Sequence, residues 1–231
     1  MKNVFVSVFI IALVCLSFQV KNDKKDLTVM VHLNFQKEPL VLNDRKYITK
    51  NKDTVSITKM KFYISNILLQ LNDGSEYKEK SSVHLIDAEN LSSLELKLNN
   101  VPDLKINKVS FDIGIDSVSS VSDKFEGNLD PKNGMYWAWN TGYINMKLEG
   151  KSSSCTNAKK EFQFHIGGYL PKQNALQKIE WNLDEKQNIN IEVELSNWLD
   201  AISLKETNSI MIPGEKAIKM AQLYKNMFGF E

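Results

Sequence analysis

The residues best suited to chemistry lie between Met135 and Tyr169. The stretch opens Met135-Tyr136-Trp137-Ala138-Trp139-Asn140-Thr141-Gly142-Tyr143 and closes Phe162-Gln163-Phe164-His165-Ile166-Gly167-Gly168-Tyr169. Two of the four tryptophans and one of only three histidines sit here. Read as strands, the first run places Met135, Trp137 and Trp139 on one face, with Tyr136 and Ala138 on the other. The second places Phe162, Phe164 and Ile166 on one face, with Gln163 and His165 on the other. If the phenylalanines face a core, His165 faces away from it. Thioether, indole and imidazole together suit a soft metal, and copper(I) accepts two or three ligands drawn from imidazole, thioether and thiolate. His165 with Met135 would suffice, as would His165 with a second histidine, His84 or His32, brought close by folding. Tryptophan itself is a poor ligand, because indole offers an N–H donor and no free lone pair. The competing reading is structural: two aromatic strands of an all-β core, with His165 hydrogen-bonded and inert.

Other chemistries find little support. There is no Gly-x-Ser-x-Gly, no His-Glu-x-x-His and no phosphate-cradling glycine loop. Paired histidines or cysteines at zinc spacing are missing. Asp116, Asp123 and Asp130 supply hard oxygen donors that suit calcium, but their spacing matches no EF-hand pattern. Cys155 lies in the polar run Ser152-Ser153-Ser154-Cys155-Thr156-Asn157. An exposed thiol there would be a soft ligand; a tolerated loop residue is the plainer reading.

The elements that must position these groups read as strands. Leu27 to Phe35 alternates, with His32 beside Met30 on the less apolar face. Glu38 to Leu42 reads as a short strand, Val55 to Leu71 as two. Asp73-Gly74 makes a hairpin turn. Ser82 to Asp87 and Lys105 to Ile115 follow, the latter with a phase slip that marks a bulge. Asp116 to Gly134 is the longest irregular stretch, and it delivers the chain into Met135. Ala175 to Leu183 and Asn188 to Leu195 read as a late hairpin. Asn197 to Leu204 reads as a short helix or turn anchored by Trp198. From Pro213 the tail is helical, with Ala217, Met220, Ala221, Tyr224 and Phe228 at three- and four-residue spacing and Gly229 as the stop. Frequent short strands broken by turns predict an all-β fold: an antiparallel β-sandwich with one C-terminal helix.

The N-terminus predicts export. Lys2 precedes the apolar run Val4–Leu16, which is too short for a membrane span and fits a secretory signal. Cleavage after Ser17 leaves one domain, residues 27–231, in the periplasm, at the cell surface or secreted. Lipidation at Cys15 is the rival, disfavoured by Val14 before it. Without residues 1–20 the chain carries 28 basic and 28 acidic side chains. No basic stripe points to nucleic acid.

The ordered runs also carry a resemblance. Met-x-Trp-x-Trp-x-x-Gly-Tyr followed by Phe-x-His-x-Gly-Gly resembles the MbnP-like copper-binding family. Val31-His32-Leu33-Asn34-Phe35, Lys61-Phe62-Tyr63-Ile64-Ser65-Asn66, His84-Leu85-Ile86-Asp87, Phe111-Asp112-Ile113-Gly114-Ile115-Asp116 and Ile210-Met211-Ile212-Pro213-Gly214 are similar to family positions in the same order. The resemblance implies a copper-binding protein, not an enzyme, that scavenges, stores or delivers copper. It implies that a tryptophan is oxidised to kynurenine by a dihaem partner related to cytochrome c peroxidases. Trp137 or Trp139 is then the oxidised residue and His165 the matching imidazole. The family pattern resembles Trp-x-His at this point, whereas this chain has Trp137-Ala138-Trp139, so one ligand is missing. The alternative function is a non-metal extracytoplasmic interaction module. A third reading, a substrate protein whose tryptophans relay charge to a haem partner, overlaps with the first.

Overall fold

The computed structural model describes residues 23–122, 124–140, 142–186 and 188–230. The predicted signal segment, with Cys15, and Asp123 lie outside the described residues. Fifteen strands follow in order: β1 (Lys24–Phe35), β2 (Glu38–Pro39), β3 (Tyr47–Ile48), β4 (Thr54–Leu71), β5 (Glu76–Lys78), β6 (Val83–Asp87), β7 (Glu95–Pro102), β8 (Ile106–Ile113), β9 (Tyr136–Trp137), β10 (Gly142–Ser152), β11 (Glu161–Gly167), β12 (Gln177–Lys186), β13 (Asn190–Glu194), β14 (Ser209–Ile210) and β15 (Phe228–Phe230). Three α-helices are interleaved: α1 (Ser117–Ser120), α2 (Ser196–Leu199) and α3 (Glu215–Tyr224).

The strands form two sheets. The smaller runs β15-β13-β1-β2, with β7 also on β1; the larger runs β12-β8-β4-β10-β11-β14, with β3, β5 and β6 on β4 and β9 on β10. Pairing is mainly antiparallel, but β1 pairs β13 and β11 pairs β14 in parallel. The alternation in β1 works as expected: Leu27, Val29, Val31, Leu33 and Phe35 turn inward and meet Phe62, Phe111, Phe162 and Phe164 of the larger sheet in one core. α3 closes that core with Ala217, Met220, Ala221 and Tyr224. The fold is thus the expected β-sandwich with a C-terminal helix.

Several local readings are corrected. Residues 55–71 make one long strand: Asn66, at φ 54°, breaks the register with β8 but not the strand. β12 and β13 are not a hairpin, since β12 pairs with β8 in the larger sheet and β13 with β1 in the smaller. Alternation looks the same whichever sheet receives the strand. α3 ends at Tyr224, and a 3-10 turn over Lys225–Met227 leads into β15. Gly229 therefore lies in a strand, opposite Glu192, and stops no helix. Cys155 is fully buried in the main core, its Sγ 3.9 Å from Leu204 O, so its thiol is not exposed.

Candidate functional site on the outer face of the larger sheet

Strand alternation leaves an outer face on the larger sheet. Phe62 and Ile64 of β4 enter the main core, so Tyr63 points out between them. A second cluster forms there from Tyr63, Tyr143 and Ile144 of the sheet and Ile115, Leu129, Met135 and Trp137 of the long connection. The connection is pinned by the sheet's own tyrosines: Tyr63 OH donates to Asn128 O at 2.9 Å and Tyr143 OH to Leu129 O at 2.9 Å. Burial pushes the Tyr143 phenol up to about 12, with Tyr136 and Asp130 adding to the rise. Asp116 caps α1 through a 2.7 Å bond accepted from Ser119 N–H, and Asp130 accepts from Lys132 N–H at 2.9 Å. Asp116 and Asp130, two of the three aspartates read as oxygen donors for calcium, thus each hold a turn. Those hydrogen bonds hold the Asp116 carboxyl below its usual range although burial opposes them.

The Met135–Trp139 run does not stay on one face. β9 is only two residues long, and Asn140 N–H closes a turn on Trp137 O at 3.3 Å. Met135 and Trp137 are buried, at 0% and 6% exposure, whereas Trp139 rides on the turn at 63%. Their rings remain neighbours, with Trp137 and Trp139 centroids 5.9 Å apart and tilted by 50°. Trp137 lies over Gly167: a Cβ added there would come within 3.0 Å of its Cζ3. Gly167 and His165 share a strand face, one repeat apart, which is about 7 Å.

His165 sits off the phenylalanine face, as the alternation required, but it is only 8% exposed. Its Nε2–H donates to Glu149 Oε1 at 2.7 Å. A carboxylate only accepts, so this bond leaves the lone pair on Nδ1. Burial lowers the His165 pKa below the ordinary imidazole value; the Glu149 hydrogen bond opposes this, and Lys147 adds to it. Lys147 of β10 is the direct cross-strand partner of His165, and its ammonium donates to Gly134 O, just ahead of Met135. Burial lowers the Lys147 pKa as well, opposed by Glu149 and reinforced by Lys59 and Lys61. Sequence reasoning missed Glu149 and Lys147. The signal was there, since both fall at period two on the face of β10 opposite Met146 and Leu148.

The other histidines are elsewhere. His84 pairs across from Ile64, whose side chain is in the main core, so the sheet itself separates His84 from His165. His84 Nε2–H donates to both oxygens of Glu79, at 3.0 and 2.9 Å. His32 lies on β1 of the smaller sheet, with Nδ1 2.8 Å from Glu192 Oε1. Among the described residues no three His, Cys, Asp or Glu side chains gather into a metal-sized group. The unmodified residues therefore do not fit a copper cage: they offer one oriented imidazole, a thioether enclosed in an apolar cluster, and two indoles.

Fold and site define a β-sandwich protein with an aromatic outer cluster beside a carboxylate-oriented imidazole. No helix among the described residues is long and apolar enough to cross a membrane. The sequence profile of the MbnP family matches residues 24–212, and the chain belongs to that family. Among solved structures the chain is similar to MbnP from Methylosinus trichosporium, with a TM-score of 0.60, 11% identity and 83% of each chain covered. At that identity the likeness speaks for the fold. No protein among curated sequences matches.

Proposed function

We propose that this MbnP-family protein acts outside the cytoplasm as a copper-binding protein for scavenging, storage or delivery, and not as an enzyme. In this reading Trp137 or Trp139 is oxidised to kynurenine by a dihaem partner and then joins His165. One observation carries it: the Trp137 ring lies over Gly167, one strand repeat from an imidazole oriented by Glu149. A carboxylate that takes one ring N–H and leaves the other nitrogen as a donor is the usual support of a metal-binding histidine. Kynurenine supplies an aryl amine with the lone pair that indole lacks. Copper held there would be cargo. His165 would supply one nitrogen donor, and Glu149 would keep its tautomer.

The test is elemental analysis and peptide mass mapping of protein from the native host. Copper should co-purify, with the mass change of kynurenine on Trp137 or Trp139 and on neither Trp181 nor Trp198. His165→Ala should abolish or sharply weaken copper(I) binding while the fold survives, and His84→Ala should leave it unchanged. Intact tryptophans and no copper, with the partner present, would favour the second reading: a non-metal interaction module. The carboxylate partners on all three histidines and the exposure of Trp139 are what support that alternative.

A further inference from the structure

The larger sheet ends at β12, and among the described residues no strand pairs with its outer edge. This strand is ten residues long, and an open edge of that length presents a row of free backbone donors and acceptors. Its inward face surfaces beside the edge. Ile179 is buried, Leu183 half-buried, and Trp181 is 37% exposed, its ring tilted by 56° against Phe230 with centroids 5.1 Å apart. A cleft of about 620 Å³ opens there between β12 and the chain around Lys225 to Phe228. The outward face carries Lys178, Glu180, Asn182 and Asp184, all exposed.

We infer that β12 is the pairing edge of a two-fold homodimer, antiparallel to its own copy and centred on Trp181. A two-fold axis normal to the sheet keeps each residue on its own face, so the sum of paired numbers must be even. Centring on Trp181 sets Lys178 opposite the copy's Asp184 and the reverse, making two ion pairs. Ile179 meets the copy's Leu183 twice, Glu180 meets Asn182, and the two Trp181 rings meet at the axis. Moving the axis one residue either way undoes this. Centred on Glu180, that carboxylate faces itself; centred on Asn182, Lys178 faces Lys186 and Glu180 faces Asp184. Charges along an edge ordinarily oppose pairing, but here they select a register. Lys178 now reaches Glu180 along its own strand at 2.7 Å, with 60% of its side chain exposed, so it is free to change partner. The register with β8 slips between Asn182 and Lys186, with Glu185 at φ 49°, and this ends the overlap near Asp184. An interface this short is at the weak end of specific contacts, so the dimer forms in the micromolar to millimolar range.

Sedimentation equilibrium on the purified protein up to millimolar concentration tests this. Wild type should show a monomer–dimer equilibrium. Asp184→Lys places lysine against lysine twice and should weaken dimerisation by about tenfold or more. Lys178→Asp combined with Asp184→Lys should restore it, because the pairs are reversed and not removed. Circular dichroism checks that each variant folds. A strictly monomeric wild type overturns the proposal. So does a dimer that tolerates Asp184→Lys, or a single-variant defect that the reversal leaves uncorrected.

Discussion

The rings of Trp137 and Trp139 lie 5.9 Å apart across two residues, one 6% exposed and the other 63%. The pair therefore joins the buried aromatic cluster to solvent. Access and protection are split between the two residues.

That split orders their reactivity. Stepwise N-bromosuccinimide titration should modify Trp139 first and Trp181, at 37% exposure, next. Trp137 and fully buried Trp198 should react last. Peptide mapping after each addition reads the order. Early loss of Trp198 would contradict its full burial in the core.

Gly167 is needed for the aromatic lid to sit on the sheet. A Cβ there would collide with the Tyr143 carbonyl and crowd Trp137 Cζ3 at 3.0 Å. Gly167→Ala should cost about 1–3 kcal/mol, as overpacking of a filled site does. Urea unfolding measures it. The same substitution at Gly74, where a Cβ meets nothing within 4 Å, crowds no neighbour, and its cost comes from the φ of 85° alone.

His165 makes stability pH-dependent. Unfolded, it titrates near the ordinary imidazole value of about 6.5; folded, burial holds it lower. Between the two values the unfolded chain binds more protons, so stability rises with pH through that window. The contribution is fully present above about 6.5 and is lost as pH falls toward the folded value. His165→Gln should flatten this part of the profile. Urea midpoints at pH values on both sides of the window check it, and an unchanged slope would remove His165 as the cause.

Trp198 Nε1–H donates to Met220 Sδ at 3.1 Å inside the core. Met220→Leu keeps the volume and strands that N–H. The expected loss is about 1–3 kcal/mol, the cost of a buried donor without a partner. Trp198→Phe with Met220→Leu should recover part of it, read by thermal unfolding.

Export can be checked directly. The apolar run Val4–Leu16 predicts that N-terminal sequencing of protein from the native host starts near Phe18. An intact Met1 on cytoplasmic protein would refute it.

Period-two alternation placed most of the strands and the direction of most of their side chains. Phe162, Phe164 and Ile166 face the core and His165 does not, because a pleated strand allows no other arrangement. The ordered family motifs were legible by another route, the identity and order of their residues. What alternation could not supply was which surfaces share a space. The sequence singles out His165 and offers His84 or His32 as its second ligand; the tertiary structure puts His84 on the opposite face of the sheet and His32 on a second sheet, so they do not converge. It reads Met135, Trp137 and Trp139 as one stripe; a turn closed on Trp137 O swings Trp139 into solvent. It reads Cys155 as a loop residue by its polar neighbours; packing around Leu204 buries it. Glu149 and Lys147 acquired their roles only when β10 was laid beside β11. Local periodicity fixes the direction of a side chain relative to its own strand, and only strand pairing and loop closure bring distant strands together.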